Sequence, residues 1–276
     1  MNILIVDGNE KSASEQYTKF GMQTQFEIYK EVLENLSENN LNITIIHPAY
    51  INDYLPKGVD LESFHGIVWT GSVLNIYDFS PAINNQIDLA KTLLTKKNKI
   101  FGSCWGLQIL ATAAEGTVRK NPKGLEAIIS EEIIVNDIGI KHPMYKNKPE
   151  KFNSFCWHYD EIENLPNQTT VLSSNEKSNV QSFFFTKEKS EVWAVQYHPE
   201  FNPKWMSGLM LQRKEVLLNQ KIFSSEAQFE KLYLYLSNIK KYEYLRKELL
   251  IPDSIIFENI HTIELKNWLN YLKNNT

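Results

Sequence analysis

Between Lys99 and Gln108 the chain reads KIFGSCWGLQ, an apolar β-prone run that leads through a cysteine into a second apolar segment. Cys104 has one glycine two residues before it and another two residues after it. This pattern is typical of a nucleophile elbow, a sharp strand-to-helix turn that projects the nucleophile while small neighbours let the backbones approach. We predict a strand over 99–101, a helix over 105–114, and a Cys104 thiol whose pKa is lowered by the helix N-terminus. The alternative, a buried structural cysteine, is disfavoured by the flanking glycines.

Strands and helices alternate around this turn. Apolar runs predict strands at 1–6, 41–46 and 66–69, and apolar residues at helical spacing predict helices at 24–35 and 82–95. This order predicts an α/β fold with three layers: a mostly parallel, mixed sheet with helices on both faces. Such a sheet carries its active site at the carboxyl ends of the strands.

The rest of the chain shows two further sequence patterns, one typical of strands and one typical of helices. Additional strands, some of them antiparallel, are predicted at 127–135, 169–173, 180–186 and 192–197. After residue 205 the pattern becomes helical and rich in Leu, Tyr, Lys and Glu. We therefore predict a domain over 1–204 and a helical C-terminal extension over 205–276 that packs on it.

Composition narrows the class of protein. The chain has 276 residues, 42% of them hydrophobic and 22% charged, which is ordinary for a globular protein. Its net charge of −4 disfavours a general nucleic-acid binder. No apolar run reaches the ~18 residues that cross a bilayer, and the first residues lack the basic lead of a secretory signal. Two cysteines make no disulfide framework. We expect a cytoplasmic protein that binds neither nucleic acid nor a membrane.

A general base for Cys104 is predicted in the segment VQYHPE, which follows the strand at 192–197. Residues two apart on an extended chain point to the same side, so His198 and Glu200 are expected to lie side by side. The carboxylate would orient the imidazole and favour its protonated form, the role of the third member of a triad. Taken alone, a histidine and a glutamate near a strand end more often form a solvated polar pair. Their occurrence together with the nucleophile elbow at Cys104 favours the catalytic interpretation.

Acyl transfer also needs hydrogen-bond donors for the developing oxyanion. One candidate is the backbone N–H of Trp105, directly after the nucleophile. The other is Gly71, in the loop that follows the strand at 66–69. Taken alone, that loop would be read as an ordinary turn.

The sequence disfavours a metal site. Cys156, His158 and His142 have no usual zinc-ligand spacing, and no Cys-x-x-Cys pair is present. We expect neither a metal nor a cofactor.

Together, these segments resemble the class I (triad type) glutamine amidotransferases, which have a flavodoxin-like fold. The resemblance covers about residues 1–205 and is strongest to stand-alone bacterial members similar to the amidotransferase domain of GMP synthase. Four ordered matches carry it: GSCWGLQ at 102–108, QYHPEF at 196–201, TGS at 70–72 with IYD at 76–78, and WHYDEI at 157–162. One departure is Thr70, where many relatives have a glycine.

The resemblance implies roles for the matching residues. Cys104 would attack the side-chain amide carbon of glutamine, His198 would protonate the departing ammonia, and water would resolve the γ-glutamyl thioester. Gly71 and Trp105 would donate to the oxyanion. Contacts to the substrate would come from Gln108, Ser72 and the backbone around His158 and Tyr159, whereas Tyr77 and Asp78 would either shape the pocket rim or be purely structural.

Three functions remain open. The leading hypothesis is a glutaminase that passes ammonia to a bound acceptor or to a partner synthase, because the residues after 205 are too few for a synthase domain. The first alternative is a γ-glutamyl hydrolase or peptidase that acts on a conjugate other than glutamine. The second is a non-catalytic partner-binding protein, which the intact Cys104, His198 and Glu200 disfavour.

Overall fold

The computed structural model describes residues 1–38, 40–50 and 54–275. Its strands are β1 (Asn2–Val6), β2 (Asn42–Ile46), β3 (Gly66–Trp69), β4 (Lys99–Ser103), β5 (Thr117–Lys120), β6 (Glu126–Val135), β7 (Lys151–His158), β8 (Asp160–Asn164), β9 (Thr170–Ser174), β10 (Ser182–Lys187) and β11 (Ser190–Val195). Its helices are α1 (Lys11–Lys19), α2 (Gln25–Leu36), α3 (Pro81–Leu94), α4 (Trp105–Ala113), α5 (Pro203–Gln212), α6 (Lys214–Asn219), α7 (Glu226–Ser237), α8 (Tyr244–Leu249), α9 (Asp253–Ile256), α10 (Glu258–His261) and α11 (Ile263–Asn274).

Within these ranges the main sheet has nine strands in the order β2-β1-β3-β4-β11-β10-β9-β6-β7, and β5 pairs with β8 separately. The half from β2 to β11 is parallel, and the half from β11 to β7 is antiparallel. The chain therefore combines the parallel sheet expected from its first half with the antiparallel strands expected from its middle.

The side chains of β1 alternate between two cores, one on each face of the sheet, which shows that the sheet lies between two layers of helices. Ile3 and Ile5 pack in a core with residues of α2, α5, α7 and α11, whereas Leu4 and Val6 pack on the opposite face with residues of α3 and α4. Because successive side chains of a strand point to opposite faces, one short apolar strand holds two helix layers together. The predicted three-layer α/β fold is confirmed.

The predicted elements are present, and their ends shift by no more than two residues. The sequence did not reveal α1, β5, β7 or β8. Helix α1 buries only Ala13, Ser14 and Tyr17 and is otherwise polar, so its apolar periodicity is weak. The edge strand β7 and the separate β5–β8 pair owe their conformation to partners that are distant in sequence, which local patterns do not report.

The parallel pairing of β4 with β11 brings the two functional segments together. Ser103 pairs with Val195, and the N–H of Cys104 donates to the carbonyl of Val195 at 2.8 Å. Both strands end at the same edge of the sheet, so the residues that follow them lie close in space.

The helical segment begins at Pro203, where the side chain of Asn202 caps α5 by accepting from the N–H of Trp205 at 2.8 Å. Helices α7 and α11 share a core with one face of the sheet. A buried Glu264 on α11 accepts from Tyr197 at 2.7 Å and from Lys148 at 2.9 Å. The division of the chain at residue 204 stays a prediction. None of the helices in the described ranges is long and apolar enough to cross a membrane.

Candidate active site

Cys104 occupies a strained turn between β4 and α4. Its backbone has φ of 51° and ψ of −100°, in the left-handed half of the map that a non-glycine residue rarely adopts. Such strain costs about 1–3 kcal/mol and persists where the surrounding packing enforces it, often at functional sites. The predicted elbow is confirmed.

The two flanking glycines are required by close backbone packing. A Cβ on Gly102 would lie 2.7 Å from the carbonyl carbon of Gly106, and one on Gly106 would lie 2.6 Å from the carbonyl oxygen of Trp69. Real Cβ atoms do not approach backbone atoms this closely. The glycines therefore let α4 pack directly against β3 and β4 behind the cysteine.

His198 lies beside Glu200, as expected, with Nδ1 of the imidazole 2.6 Å from Oε1 of the carboxylate. Both side chains are buried, and Glu200 is fully so. The ring of His198 stacks on Phe201 at 3.9 Å, and Phe201 stacks on Trp205 at 3.8 Å. The histidine is therefore fixed by one hydrogen bond and one aromatic face.

The local conformation that produces this pair differs from the extended chain we expected. Strand β11 ends at Val195, and residues 198–201 form a turn in which the N–H of Phe201 donates to the carbonyl of His198 at 3.3 Å. The N–H of His198 is held by the carbonyl of Phe155 at 2.8 Å. The contact was predicted correctly, but a turn makes it.

A second layer of hydrogen bonds holds Glu200. Ser103 donates to Oε2 of the carboxylate at 3.2 Å, and the hydroxyl of Tyr29 makes a very short hydrogen bond to Ser103. Ser103 directly precedes Cys104, so the orientation of the carboxylate is tied to the elbow itself.

The loop after β3 is held in one conformation by side chains. Thr70 accepts from the N–H of Gly8 at 2.9 Å and donates to the carbonyl of Gly71 at 2.9 Å, and Asn9 donates to the same carbonyl at 3.2 Å. A Cβ on Gly71 would lie 2.7 Å from Cε1 of His198. Thr70, the departure from the common pattern, thus anchors the loop, and Gly71 lies directly against the imidazole.

The pKa of Cys104 differs from our expectation. Burial raises the pKa of the thiol to about 12, and the buried Glu200 carboxylate adds to this. The backbone N–H of Trp105, at the N-terminus of α4, and the nearby side chain of Gln196 oppose the rise without overcoming it. The expectation that the pKa of Cys104 is lowered overall is wrong, because desolvation of a nearly enclosed sulfur outweighs the helix N-terminus.

Cys104 and His198 line the same cavity of about 340 Å³, within the ~300–1,000 Å³ typical of small-molecule pockets. The predicted contact residues Ser72, Gln108, His158 and Tyr159 also line it. Tyr77 lies at its rim and donates to Asp160 at 3.0 Å, whereas Asp78 accepts from Asn75 at 3.0 Å and does not line the cavity.

The side chain of His158 is occupied by structural contacts. Its Nε2 lies 2.8 Å from the carboxylate of Glu126, and its Nδ1 lies 2.9 Å from the carbonyl oxygen of Asp160. Both ring nitrogens are therefore occupied by contacts within the protein. Burial would raise the pKa of Glu126, but hydrogen bonds led by that from His158 lower it to about 2. A role in substrate binding for the segment around His158 and Tyr159 stays a prediction. Because the His158 side chain is occupied, the backbone of this segment would have to make that contact.

Several cavity residues were not assigned by sequence reasoning. Gln196, next to the thiol, stands two residues before His198 in the quoted motif, so the motif was a usable signal. Tyr17, Gln25 and Arg213 line the cavity from α1, α2 and the end of α5. No sequence motif marks them. Among the described residues, no group of three or more His, Cys, Asp or Glu side chains is placed to hold a metal ion.

A nucleophile elbow, a buried histidine–carboxylate pair and a shared cavity are the features of a cysteine-dependent hydrolytic enzyme. Residues 24–216 match the family model described as glutamine amidotransferase class-I. The chain belongs to that family.

The chain is similar to individual proteins in sequence or in structure. The chain is 26% identical to a gamma-glutamyl-L-1-hydroxyisopropylamide hydrolase from a Pseudomonas species, over 99% of this chain and 93% of the relative. It is 29% identical to gamma-glutamyl peptidase 2 of Arabidopsis thaliana, over 55% of this chain and 60% of the relative. A crystal structure of a glutamine amidotransferase from Thermotoga maritima superposes with a TM-score of 0.64 at 16% identity, covering 99% of this chain and 97% of the other.

Proposed function

We propose that this protein is a γ-glutamyl hydrolase or peptidase that cleaves a γ-glutamyl conjugate other than glutamine, with Cys104 as nucleophile, His198 as acid and base, and Glu200 as the residue that orients the histidine. The observation that carries this choice is the similarity, over nearly the whole chain and including the C-terminal helices, to a hydrolase named for a γ-glutamyl amide. This reading replaces the glutaminase as the leading hypothesis.

The chemistry follows from the arrangement of the three side chains. Nδ1 of His198 is hydrogen-bonded to Glu200, so Nε2 is the ring nitrogen that is free to exchange a proton with Cys104. The thiol proton moves to Nε2 as the sulfur attacks the γ-carbonyl carbon. When the C–N bond breaks, His198 returns that proton to the leaving nitrogen. Water, deprotonated by His198, then cleaves the thioester and releases glutamate and the free thiol.

The oxyanion formed during attack needs donors that are already in place. The N–H of Trp105 is close enough to the sulfur to act on its pKa. The N–H of Gly71 has no partner among the described residues, while the carbonyl of Gly71 is held by Thr70 and Asn9. We assign both N–H groups to the oxyanion site.

The elevated pKa of Cys104 fits this sequence of proton transfers. A neutral thiol is stable in a buried site, and the substrate carbonyl is attacked as the proton leaves the sulfur. The carboxylate of Glu200 stabilises the imidazolium that forms, as the third member of a triad does.

The cavity supports a leaving group larger than ammonia. It is also lined by Phe201, Trp205 and Leu209, so that α5 provides an apolar wall of the same cavity. Ammonia has no apolar substituent to pack against this wall, whereas an amine with carbon substituents would bury apolar surface against it.

The test compares glutamate release from glutamine with release from a panel of γ-glutamyl amides, amino acids and peptides at equal concentration. We expect at least one conjugate to have a higher kcat/KM than glutamine. Cys104→Ser should abolish this turnover, and His198→Ala should reduce it by about 10²- to 10⁴-fold. Cys156→Ala, which removes a buried thiol outside the cavity, is the matched control and should remain active.

Two results would decide against the proposal. Faster turnover of glutamine than of every conjugate would restore the glutaminase, and addition of candidate synthases would then identify the acceptor. No turnover of any γ-glutamyl compound, together with failure of Cys104 to react with a glutamine-like electrophile, would indicate a non-catalytic binding protein.

A further inference from the structure

Arg213 brings an unpaired positive charge to the catalytic cavity. It caps the C-terminus of α5 and lines the same cavity as Cys104 and His198. Among the described residues its guanidinium has no ion-pair partner, and its Nε is buried without a hydrogen-bond partner. The side chain is half-buried, and its Nε has lost water that no group among the described residues replaces, which favours binding of an anion there.

Two tyrosines on different walls of the cavity lie near Arg213. Its charge lowers the pKa of both Tyr17 on α1 and Tyr159 after β7, against the larger opposite effect of burial. The guanidinium therefore lies within electrostatic reach of both walls of the cavity.

Proton transfer defines which side of the cavity receives the leaving group. His198 must protonate the departing nitrogen, so the substituent on that nitrogen extends past the histidine. Phe201 stacks on the imidazole, Trp205 stacks on Phe201, and Arg213 follows at the end of the helix that carries Trp205. We assign the substituent of the leaving nitrogen to this wall. Tyr17 packs against Trp205 with ring centroids 5.5 Å apart, which closes the aromatic wall.

The other charged groups of the cavity lie elsewhere. Lys120 on β5 and Asp160 on β8 are neighbours in adjacent strands, and the charge of Lys120 acts on Asp160. A second anion site on that wall would be partly neutralised by this carboxylate. Within the part of the chain that the structure describes, Arg213 pairs with no carboxylate, and it is the cation best placed for an anionic group of the leaving amine.

We propose that Arg213 binds a carboxylate carried by the leaving amine, so that γ-glutamyl amino acids and peptides are preferred over γ-glutamyl derivatives of neutral amines. In this preference the chain would differ from the Pseudomonas relative, whose named substrate has a neutral leaving amine. This inference rests on the proposed function and specifies its substrate class. A carboxylate fits the planar donor fork of arginine, and the aromatic wall would cover the carbon atoms between the scissile nitrogen and that carboxylate.

The test compares γ-glutamyl-alanine with γ-glutamyl-alaninamide, which differ only in the charge of the leaving group. We expect the wild-type kcat/KM to favour the acid by about 10- to 100-fold. Arg213→Met should bring the two values within about threefold of each other, mainly by raising KM for the acid. Arg213→Lys should restore part of the preference, because a point charge remains without the fork.

Lys204→Met is the matched control, since it removes a positive charge from the exposed part of the same helix, outside the cavity. It should keep the wild-type preference. Equal loss for the acid and the amide in Arg213→Met would overturn the proposal, because it would assign Arg213 to the α-carboxylate of the γ-glutamyl group, which both substrates share. Equal turnover of both substrates by the wild type would also overturn it.

A binding measurement separates this proposal from the proposed function. Calorimetry with the Cys104→Ala protein should show tighter binding of γ-glutamyl-alanine than of its amide, and Arg213→Met should remove the difference. If the wild type hydrolyses no compound of the γ-glutamyl panel but this difference in affinity persists, the proposed function fails and the carboxylate site stands. If hydrolysis occurs without any difference in affinity or kcat/KM, the carboxylate site fails alone.

Discussion

Oε1 of Glu200 lies 2.6 Å from Nδ1 of His198, and the carboxylate is fully buried. A buried carboxylate at this distance orients the imidazole, and in the proposed mechanism it would stabilise the imidazolium that forms during catalysis.

Replacing Glu200 by Gln keeps the shape of the side chain but removes its charge. We expect kcat to fall by about 10²- to 10⁴-fold with a smaller change in KM, because the interaction matters most when the imidazole is charged. Steady-state hydrolysis of the best γ-glutamyl substrate measures this. Tyr29→Phe removes only the outer hydrogen bond to Ser103 and should have a smaller effect. A Glu200→Gln enzyme with nearly wild-type kcat would exclude Glu200 from the triad.

Gly71 has no room for a side chain. A Cβ there would lie 2.6 Å from Oε1 of Gln25 and 2.7 Å from Cε1 of His198, so Gly71→Ala must move the imidazole or the loop. We expect kcat to fall at least about tenfold, since misplacement of a catalytic group by ~1 Å costs this much or more. Thermal unfolding should show a protein that remains folded. Unchanged kcat in a folded Gly71→Ala protein would show that the loop adapts and that the contact with the imidazole is unimportant.

The pH dependence of Cys104 follows from its buried environment. A pKa raised to about 12 means that the thiol stays protonated below that value and ionises only above it. The ultraviolet thiolate absorbance of the wild type minus that of Cys104→Ala should therefore be close to zero from about pH 6 to about pH 9. Alkylation of Cys104 should accelerate with rising pH across this range. A thiolate already present near neutral pH would instead indicate a resting ion pair with His198.

The buried pair of Lys148 and Glu264 ties the C-terminal helices to the segment that carries His198. Their side chains are fully buried 2.9 Å apart, and Glu264 also accepts from Tyr197, the residue before His198. Lys148→Met leaves a buried carboxylate without its cation and should lower the free energy of unfolding by about 3–5 kcal/mol.

The double variant Lys148→Met with Glu264→Leu should recover much of this loss, because no unpaired charge remains. Urea denaturation of the two single variants and the double variant measures the coupling. Strict additivity of the two single effects would contradict a direct interaction. We also expect lower kcat in Glu264→Leu, since Tyr197 loses its acceptor beside the catalytic histidine.

Much of this protein could be predicted from local sequence. The strand before Cys104, the helix after it and the need for glycine at positions 102 and 106 follow from a turn of a few residues, whose strain and packing are encoded in those residues. The three-layer fold followed from the alternation of short apolar strands with amphipathic helices. The partnership of His198 and Glu200 was also predicted, although a turn and not an extended strand brings the side chains together.

Only the tertiary structure decided the environment of these groups. The order of the sheet places β11 beside β4 although nearly a hundred residues separate them, and this pairing buries Cys104 deeply enough to raise its pKa. Helices α1 and α5 bring Tyr17 and Arg213 to one cavity, and β6 and β7 pair Glu126 with His158. The physical reason is one of range. Backbone strain and hydrophobic periodicity depend on residues that are close in sequence, so they can be predicted from a short segment. Burial and charge at a site depend on segments that only folding brings together.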